Sequence, residues 1–597
     1  MLTGGIHVKA KPSYRADIEG LRALAVILVI LYHYQVPGIS GGFIGVDVFF
    51  VISGFVITQL LERAFQKDTF RFRDFYARRI RRLVPVFLLV STATFLMISP
   101  FYIGDAYYIF AKSWLASLIG LSNLYYFNEL SQYFAPETLS LSLLHTWSLA
   151  VEEQFYLLWP ASLYLAYRFG KGRTAHWPFR ITLVATFVLS VYMASALLIT
   201  KHDHFPGYNA LWPTLGTAMV IYAGLHQPAT FTARLLSLPV MVFLGGISYS
   251  LYLWHWPPVA LMHYQLIELT WLNRLLLIAG VVALSWFSFR FVENRYRHRD
   301  WSFTKSFLIF ILAPLIVIWA IQSTIRIADD TSFRIPEERR ELYKIIANNN
   351  PADLYKRCFK GKPVEFNQSD ACLFGAKPAD GQPNSMLIGD SHAIAQIGFI
   401  EQLLKGTDYS VLMVTRASTP FLPPAIAEKA QASDPTKVAR NQALSDYLSQ
   451  RPMTVFIGAW WSAYLKSEHY QRYFVDTIGW LKAHGHTVIV MEDVPELPSS
   501  SYAECLLKNM DDCSISAEDV KKSLANFYRF KQNAQQRYPD VQWINPRKVL
   551  CDATRCQTVL NGIPLYRDES HLNNVGGIEI GQEYLKRFGN PLTSSEK

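Results

Sequence analysis

Met386-Leu387-Ile388-Gly389-Asp390-Ser391-His392 reads as an apolar strand that ends in a tight turn and hands a serine to the start of a helical pattern. A serine so placed sits at the carboxyl end of a parallel strand, where its own N–H can begin an oxyanion hole. Strand-like runs at Ser385–Gly389, Ser410–Val414, Thr454–Gly458 and Thr487–Met491 alternate with helical patterns. Apolar strands separated by amphipathic helices predict an α/β three-layer sandwich around a mostly parallel sheet. Far downstream, Asp568-Glu569-Ser570-His571 sets an acid three residues before a histidine. That spacing lets the carboxylate orient the imidazole, whose other nitrogen can deprotonate a serine. Ser391, His571 and Asp568 are therefore the candidate nucleophile, base and orienting acid.

Outward from this domain the chain changes character. Residues 1–326 carry 26 Lys+Arg against 15 Asp+Glu, whereas residues 327–597 carry 31 against 32. The net charge of +10 thus belongs to the apolar half. Positive charge flanking apolar spans marks cytoplasmic membrane loops, which argues against nucleic acid as a partner. All six cysteines fall in the second half, as the close pairs Cys358/Cys372, Cys505/Cys513 and Cys551/Cys556. No Cys-x-x-Cys knuckle occurs, so disulfides in an oxidising compartment are expected and no metal site. Met1–Asp17 is polar and the first apolar run is followed at once by another, so no cleavable signal peptide is expected.

Apolar stretches near 21–37, 43–61, 84–101, 145–167, 181–200, 210–226, 245–266, 273–292 and 303–325 suit a bilayer crossing of about 20 residues. Residues 107–127 and 234–246 are apolar but interrupted, leaving nine or eleven spans. The loop Glu62–Leu83 holds Arg63, Lys67, Arg71, Arg73, Arg78, Arg79, Arg81 and Arg82, and Arg290–Arg299 is also basic. Both are expected to be cytoplasmic, with the C-terminal domain outside. The division is then a membrane domain at 1–326, a polar connector at 327–357 and a second domain at 358–597.

Ionisable residues inside a bilayer are costly and each is a functional candidate. Arg22 and His33 lie eleven helical steps apart, on nearly one face with a rise of about 16 Å. An acyl-CoA with its phosphates near Arg22 and its thioester near His33 fits that stripe, with His33 as general base or transient acyl carrier. Arg71, Arg73, Arg78, Arg79 and Arg82 are further candidates for the phosphates. Glu152 and Glu153 are a carboxylate pair in a span; which one faces inward stays open, and Arg22 or His33 would serve as partner. Asp47 and His255 are further candidates.

These residues resemble a known family. Tyr14–Val26 leading to His33, Gly45–Phe55, Phe75–Arg82, His145–Tyr156 and Ile247–His255 are similar to the motifs of the acyltransferase-3 family. Gly389-Asp390-Ser391 and Asp568-x-x-His571 resemble the first and last blocks of the SGNH hydrolases, over roughly 380–580. That family's middle blocks supply a glycine and a Gly-x-Asn asparagine to the oxyanion hole. Here the strand end reads Gly458-Ala459-Trp460-Trp461, and Val414–Pro420 offers no glycine. The whole chain resembles the OafA/OafB-like O-antigen acetyltransferases.

The resemblance implies a multi-pass α-helical domain joined to an SGNH-type sandwich in the bacterial inner membrane, the latter in the periplasm. It implies acetyl-CoA as acyl donor, no permanently bound cofactor, and a surface glycan such as lipid-linked O-antigen as acceptor. Peptidoglycan and exopolysaccharide are alternative acceptors. Rival readings are an acyl-group or lipid exporter with a structural outer domain, and an enzyme whose outer domain removes acetyl groups.

Overall fold

In the computed structural model the described residues are 15–130, 138–169, 211–226, 230–327, 335–347, 354, 372–378, 381–426, 434–508, 510 and 512–593. The chain forms two compact units, Met1–Arg334 and Ile335–Lys597.

The first unit is helical. Four of its described helical stretches, Gly42–Gln66, Phe72–Ile98, Trp271–Arg297 and Phe303–Arg326, are long and apolar enough to cross a membrane. The helices that matter for the site are α1 (Ala16–His33), α2 (Gly45–Gln66), α3 (Phe72–Ile98), α4 (Thr146–Phe169) and α5 (Ser248–Tyr264). The span expected at 181–200 lies outside the described residues. The two interrupted stretches are broken helices. Gly104–Leu118 and Ser122–Leu130 are separated by a turn at Gly120, and Phe231–Leu236 is followed by Pro239–Gly246. The latter pair lies hard against α1: a Cβ on Gly20 would stand 1.8 Å from the Leu236 carbonyl oxygen, and one on Gly245 1.8 Å from that of Glu19. Only hydrogen side chains admit such backbone contact.

The arginine-rich stretch is not the loop expected from its charge. α2 continues to Gln66 and α3 starts at Phe72, so Arg73 to Arg82 sit on helix. Their burial differs. Phe75, Ala77 and Arg81 turn inward, whereas Arg71, Arg73 and Arg78 are exposed. Buried Arg81 donates to the Trp301 carbonyl and Arg82 lies 3.8 Å from Glu293.

The second unit is an α/β sandwich with a six-stranded sheet. Its strands are β1 (Leu373–Gly375), β2 (Ser385–Gly389), β3 (Ser410–Thr415), β4 (Thr454–Gly458), β5 (Thr487–Met491) and β6 (Gln542–Ile544), in the order β1-β3-β2-β4-β5-β6. All neighbours pair parallel except the edge strand β1, which runs antiparallel to β3. β2 and β3 are buried at every residue, so both sheet faces are covered. The helices Ile397–Leu404 and Asn574–Phe588 pack on each other, as do Glu468–Ala483 and Ala525–Arg537. Because β3 and β4 flank β2 on opposite sides, the chain reverses its winding there, and the crevice beyond the carboxyl end of β2 is the natural site.

Part of the stretch read as a connector is folded into this unit. Glu337–Ala347 is a helix, Ile335 and Ile346 are buried, and Arg339 donates to the Leu507 carbonyl at 3.1 Å. Among the described residues the disulfides Cys505–Cys513 and Cys551–Cys556 are present. The third expected pair involves Cys358, outside the described residues. Among the described residues no cluster of His, Cys, Asp and Glu suits a metal ion.

Candidate active site

Ser391 opens a short helix directly after β2. The turn that delivers it depends on two residues. Gly389 has φ +147°, and a Cβ there would stand 1.8 Å from the Gly458 carbonyl oxygen. Asp390 caps the turn: one carboxylate oxygen accepts the His392 N–H at 2.8 Å and the other accepts the Trp460 N–H at 2.9 Å. Cap and strand neighbour are thus locked together, which fixes where the serine oxygen points.

His571 and Asp568 come from the segment before the helix Asn574–Phe588 and close on that oxygen. His571 Nε2 is 2.8 Å from Ser391 Oγ, and its Nδ1 is 2.9 and 3.1 Å from the two oxygens of Asp568. A carboxylate accepts, so Nδ1–H donates and Nε2 is left to accept the serine proton. Asp568 also accepts the N–H groups of Ser570 at 3.0 Å and His571 at 2.8 Å, and the Arg567 side chain lies 3.2 Å away. Burial alone would raise the Asp568 pKa, but the His571 hydrogen bond and charge, with Arg567 behind them, hold it down to about 2. Burial also pushes His571 down, against the pull of Asp568, so its base nitrogen is bare at neutral pH. The three residues picked from sequence are brought together.

The strand end opposite them is fully committed. Trp460 spends its N–H on Asp390, and its indole N–H donates to Glu496, which also accepts from Ser462 Oγ at 2.5 Å. The position where related sites carry an asparagine therefore offers no such donor.

A second His–Asp pair, which sequence reading missed, underlies the triad. His392 Nδ1–H donates to Asp493 at 2.9 Å, with both side chains buried. The ring stacks on Trp460 at 5.2 Å and stands 4.5 Å from the His571 ring. Burial opposes charge on His392, but Asp493 outweighs it and raises the pKa to about 9. Asp493 follows β5, a hundred residues downstream, and no local spacing marks it. Buried Arg440 also went unseen. It donates to the Val414 carbonyl at 2.8 Å, and burial lowers its pKa to about 10.

The helical unit holds a cavity of about 290 Å³ lined by Arg22, Arg79, Arg82, Arg297, Ser53 and Glu152, among others. Three of the six arginines proposed from sequence line it. Arg71, Arg73 and Arg78 do not, and all three are exposed. Arg297 joins from another helix, where it had been read only as a topology signal. Of the carboxylate pair, Glu152 lines the cavity and accepts from Ser53 and Tyr156. Glu153 turns toward Gly120 instead. Neither Arg22 nor His33 partners Glu152: Arg22 pairs with Glu19 at 3.0 Å. Arg79 lies 4.5 Å from the centre of the Tyr156 ring, completing that wall.

His33 is at the far end of α1 and does not line this cavity. Its Nδ1 is 3.0 Å from Nε2 of His255, and its ring packs edge-on against Trp256 at 4.7 Å. His145 joins the group, 5.6 Å from the His255 ring. Asp47 is buried on α2 and is not a cavity residue.

A Ser-His-Asp array on the strand ends of a mostly parallel sheet, in a chain that also carries a helical unit with membrane-length helices and an arginine-lined cavity, defines a two-part acyl-transfer protein class. Residues 15–176 and 161–290 match the family described as "Acyltransferase domain", and residues 357–586 match "SGNH domain (fused to AT3 domains)". The chain is 27% identical to "Peptidoglycan O-acetyltransferase OatA" of Listeria monocytogenes, over 48% of this chain and 56% of that relative. It is 27% identical to "O-acetyltransferase OatA" of Staphylococcus aureus strain NCTC 8325, over 51% of this chain and 63% of the relative. The chain thus spans a little over half the length of these relatives. The periplasmic domain of a lipopolysaccharide acetyltransferase from Salmonella ser. Paratyphi A aligns with 41% of this chain and 96% of its own, at 16% identity and a TM-score of 0.30.

Proposed function

We propose that this chain is a membrane O-acetyltransferase that moves an acetyl group from cytoplasmic acetyl-CoA across the membrane to a hydroxyl of a surface glycan. The observation that carries the reading is the 2.8 Å approach of Ser391 Oγ to His571 Nε2 in a chain that also carries an acyltransferase domain. Arg22, Arg79, Arg82 and Arg297 would hold the donor's phosphates, since four guanidinium groups around one cavity match a polyanion. Arg71, Arg73 and Arg78, all exposed, are not assigned to it. His33 is the base for the membrane step, and Glu152 holds Ser53 and Tyr156 in the cavity wall.

In the C-terminal domain, placed in the periplasm of an inner-membrane protein, Ser391 Oγ attacks the acyl carbon while His571 Nε2 takes its proton. The acyl–oxygen bond to the carrier breaks as the leaving group is reprotonated. A glycan hydroxyl then attacks the acyl-serine with His571 again as base. A bound sugar outcompetes water because positioning alone supplies several kcal/mol of barrier reduction. Lipid-linked O-antigen is one acceptor of the right chemistry, and the name of the Listeria relative favours peptidoglycan. Mass spectrometry of surface glycans from cells with and without the gene tests the reading. Loss of an O-acetyl mark from one glycan supports it and names the acceptor; identical acetylation of every glycan overturns it.

A further inference from the structure

His33 has a partner whose protonation is dictated by its surroundings. His255, on α5, is wholly buried, and its Nδ1 lies 2.5 Å from the Tyr252 carbonyl oxygen. A carbonyl carries no proton, so Nδ1 donates. In the neutral ring this leaves Nε2 as a bare lone pair. That nitrogen faces Nδ1 of His33 at 3.0 Å, so His33 must donate from Nδ1, and its own Nε2 is then unprotonated. The tautomer of one ring is passed to the next from a fixed backbone oxygen.

The arrangement is braced. The ring centres of His33 and His255 lie 5.2 Å apart with their planes 19° from parallel, as an in-plane N–H···N bond requires, and Trp256 packs against His33. Tyr34, next to His33, donates its hydroxyl to the His255 carbonyl at 3.2 Å, while Arg274 donates to the Tyr34 carbonyl at 2.9 Å. The end of α1 is thereby tied to α5 at the residues that share the proton.

We propose that His255 is the positioning residue of the membrane site, setting His33 in the tautomer whose free Nε2 accepts the proton of the attacking group. The inference rests on the reading of His33 as the base of the membrane step. In that step the hydroxyl proton of the acyl carrier passes to His33 Nε2 as the hydroxyl oxygen bonds the acyl carbon. The C–S bond of the thioester breaks, and the same proton returns to the leaving thiolate. While His33 is cationic, its Nδ1–H bond to His255 bears part of the charge, the task a carboxylate performs in a hydrolase triad.

The full-length chain with ¹⁵N-histidine, reconstituted in phospholipid bilayers, gives the direct test, with His33 signals assigned by their loss in His33→Gln. The expected spectrum has His33 protonated at Nδ1 and bare at Nε2, and His255→Leu scrambles that pattern. With acetyl-CoA as donor, His255→Leu should lower kcat by about 10² to 10⁴-fold with KM unchanged. His255→Gln keeps an acceptor for His33 Nδ1–H and should recover most of that loss. A wild-type proton on His33 Nε2, or a kcat in His255→Leu equal to wild type, overturns the assignment. The spectrum of the wild-type chain decides even if His255→Leu fails to fold. Full transfer by His33→Gln overturns instead the reading of His33 as base.

Discussion

At the scale of single residues, the candidate site is a set of directed protons. Asp568 fixes His571, His571 faces Ser391, and Asp390 holds the serine's turn. Groups that act as one unit lose their effect together. The double variant Asp568→Ala/His571→Ala is therefore expected to be no more than about threefold slower than the worse single variant in glycan acetylation. Multiplicative losses in that assay would mean that the two act independently. His392 makes a separate prediction. Its pKa rises from 6.5 to about 9 on folding, because Asp493, with Asp390 and Glu496 nearby, outweighs the cost of burial. A group with a raised folded pKa gives stability that is complete below the unfolded value and lost as pH climbs through the folded one. The thermal midpoint of the C-terminal unit should fall between pH 6.5 and about 9, and Asp493→Asn should flatten that fall. A wild-type midpoint level across the window would contradict the pairing. Ser391, Asp568 and His571 were legible because strand, turn and spacing are local signals. Asp493 and Arg297 were not, since each reaches its site through the tertiary fold and leaves no periodic trace nearby.

Among elements, the demand falls on the β2 turn. Gly389 lies where any side chain would enter the Gly458 carbonyl, so Gly389→Ala should destabilise the C-terminal unit by roughly 3 kcal/mol. Denaturant unfolding followed by tryptophan fluorescence measures this, and an unchanged midpoint would refute the close approach. The disulfides Cys505–Cys513 and Cys551–Cys556 close loops of 8 and 5 residues. Each is expected to contribute roughly 2 kcal/mol by restricting the unfolded chain, and non-reducing peptide maps should recover both. Free thiols at all four positions would contradict them. The four central strands were readable from apolar runs alone. β1 and β6 were not, being three residues each, too short for a run to show. The arginine stretch misled for a physical reason: its charge density suggested a loop, yet arginine is a good helix former, and Ala77 and Arg81, four residues apart, are buried on one face.

The whole molecule joins two chemistries that the proposed function places in series. One is an arginine-lined cavity and a histidine pair in a unit with membrane-length helices; the other is a serine triad in an α/β sandwich. His33→Ala should abolish glycan acetylation with expression and membrane insertion intact, and Arg22→Ala should first raise the apparent KM for acetyl-CoA. Normal acetylation in the His33 variant would remove the membrane step. The sharpest measurement is transfer of labelled acetyl from acetyl-CoA to surface glycan by Ser391→Ala at matched protein level. Transfer in series predicts a loss of at least about 10³-fold, with acetyl-CoA binding unchanged. Full labelling of the glycan by Ser391→Ala would show that the membrane domain acetylates sugar directly and would contradict the account.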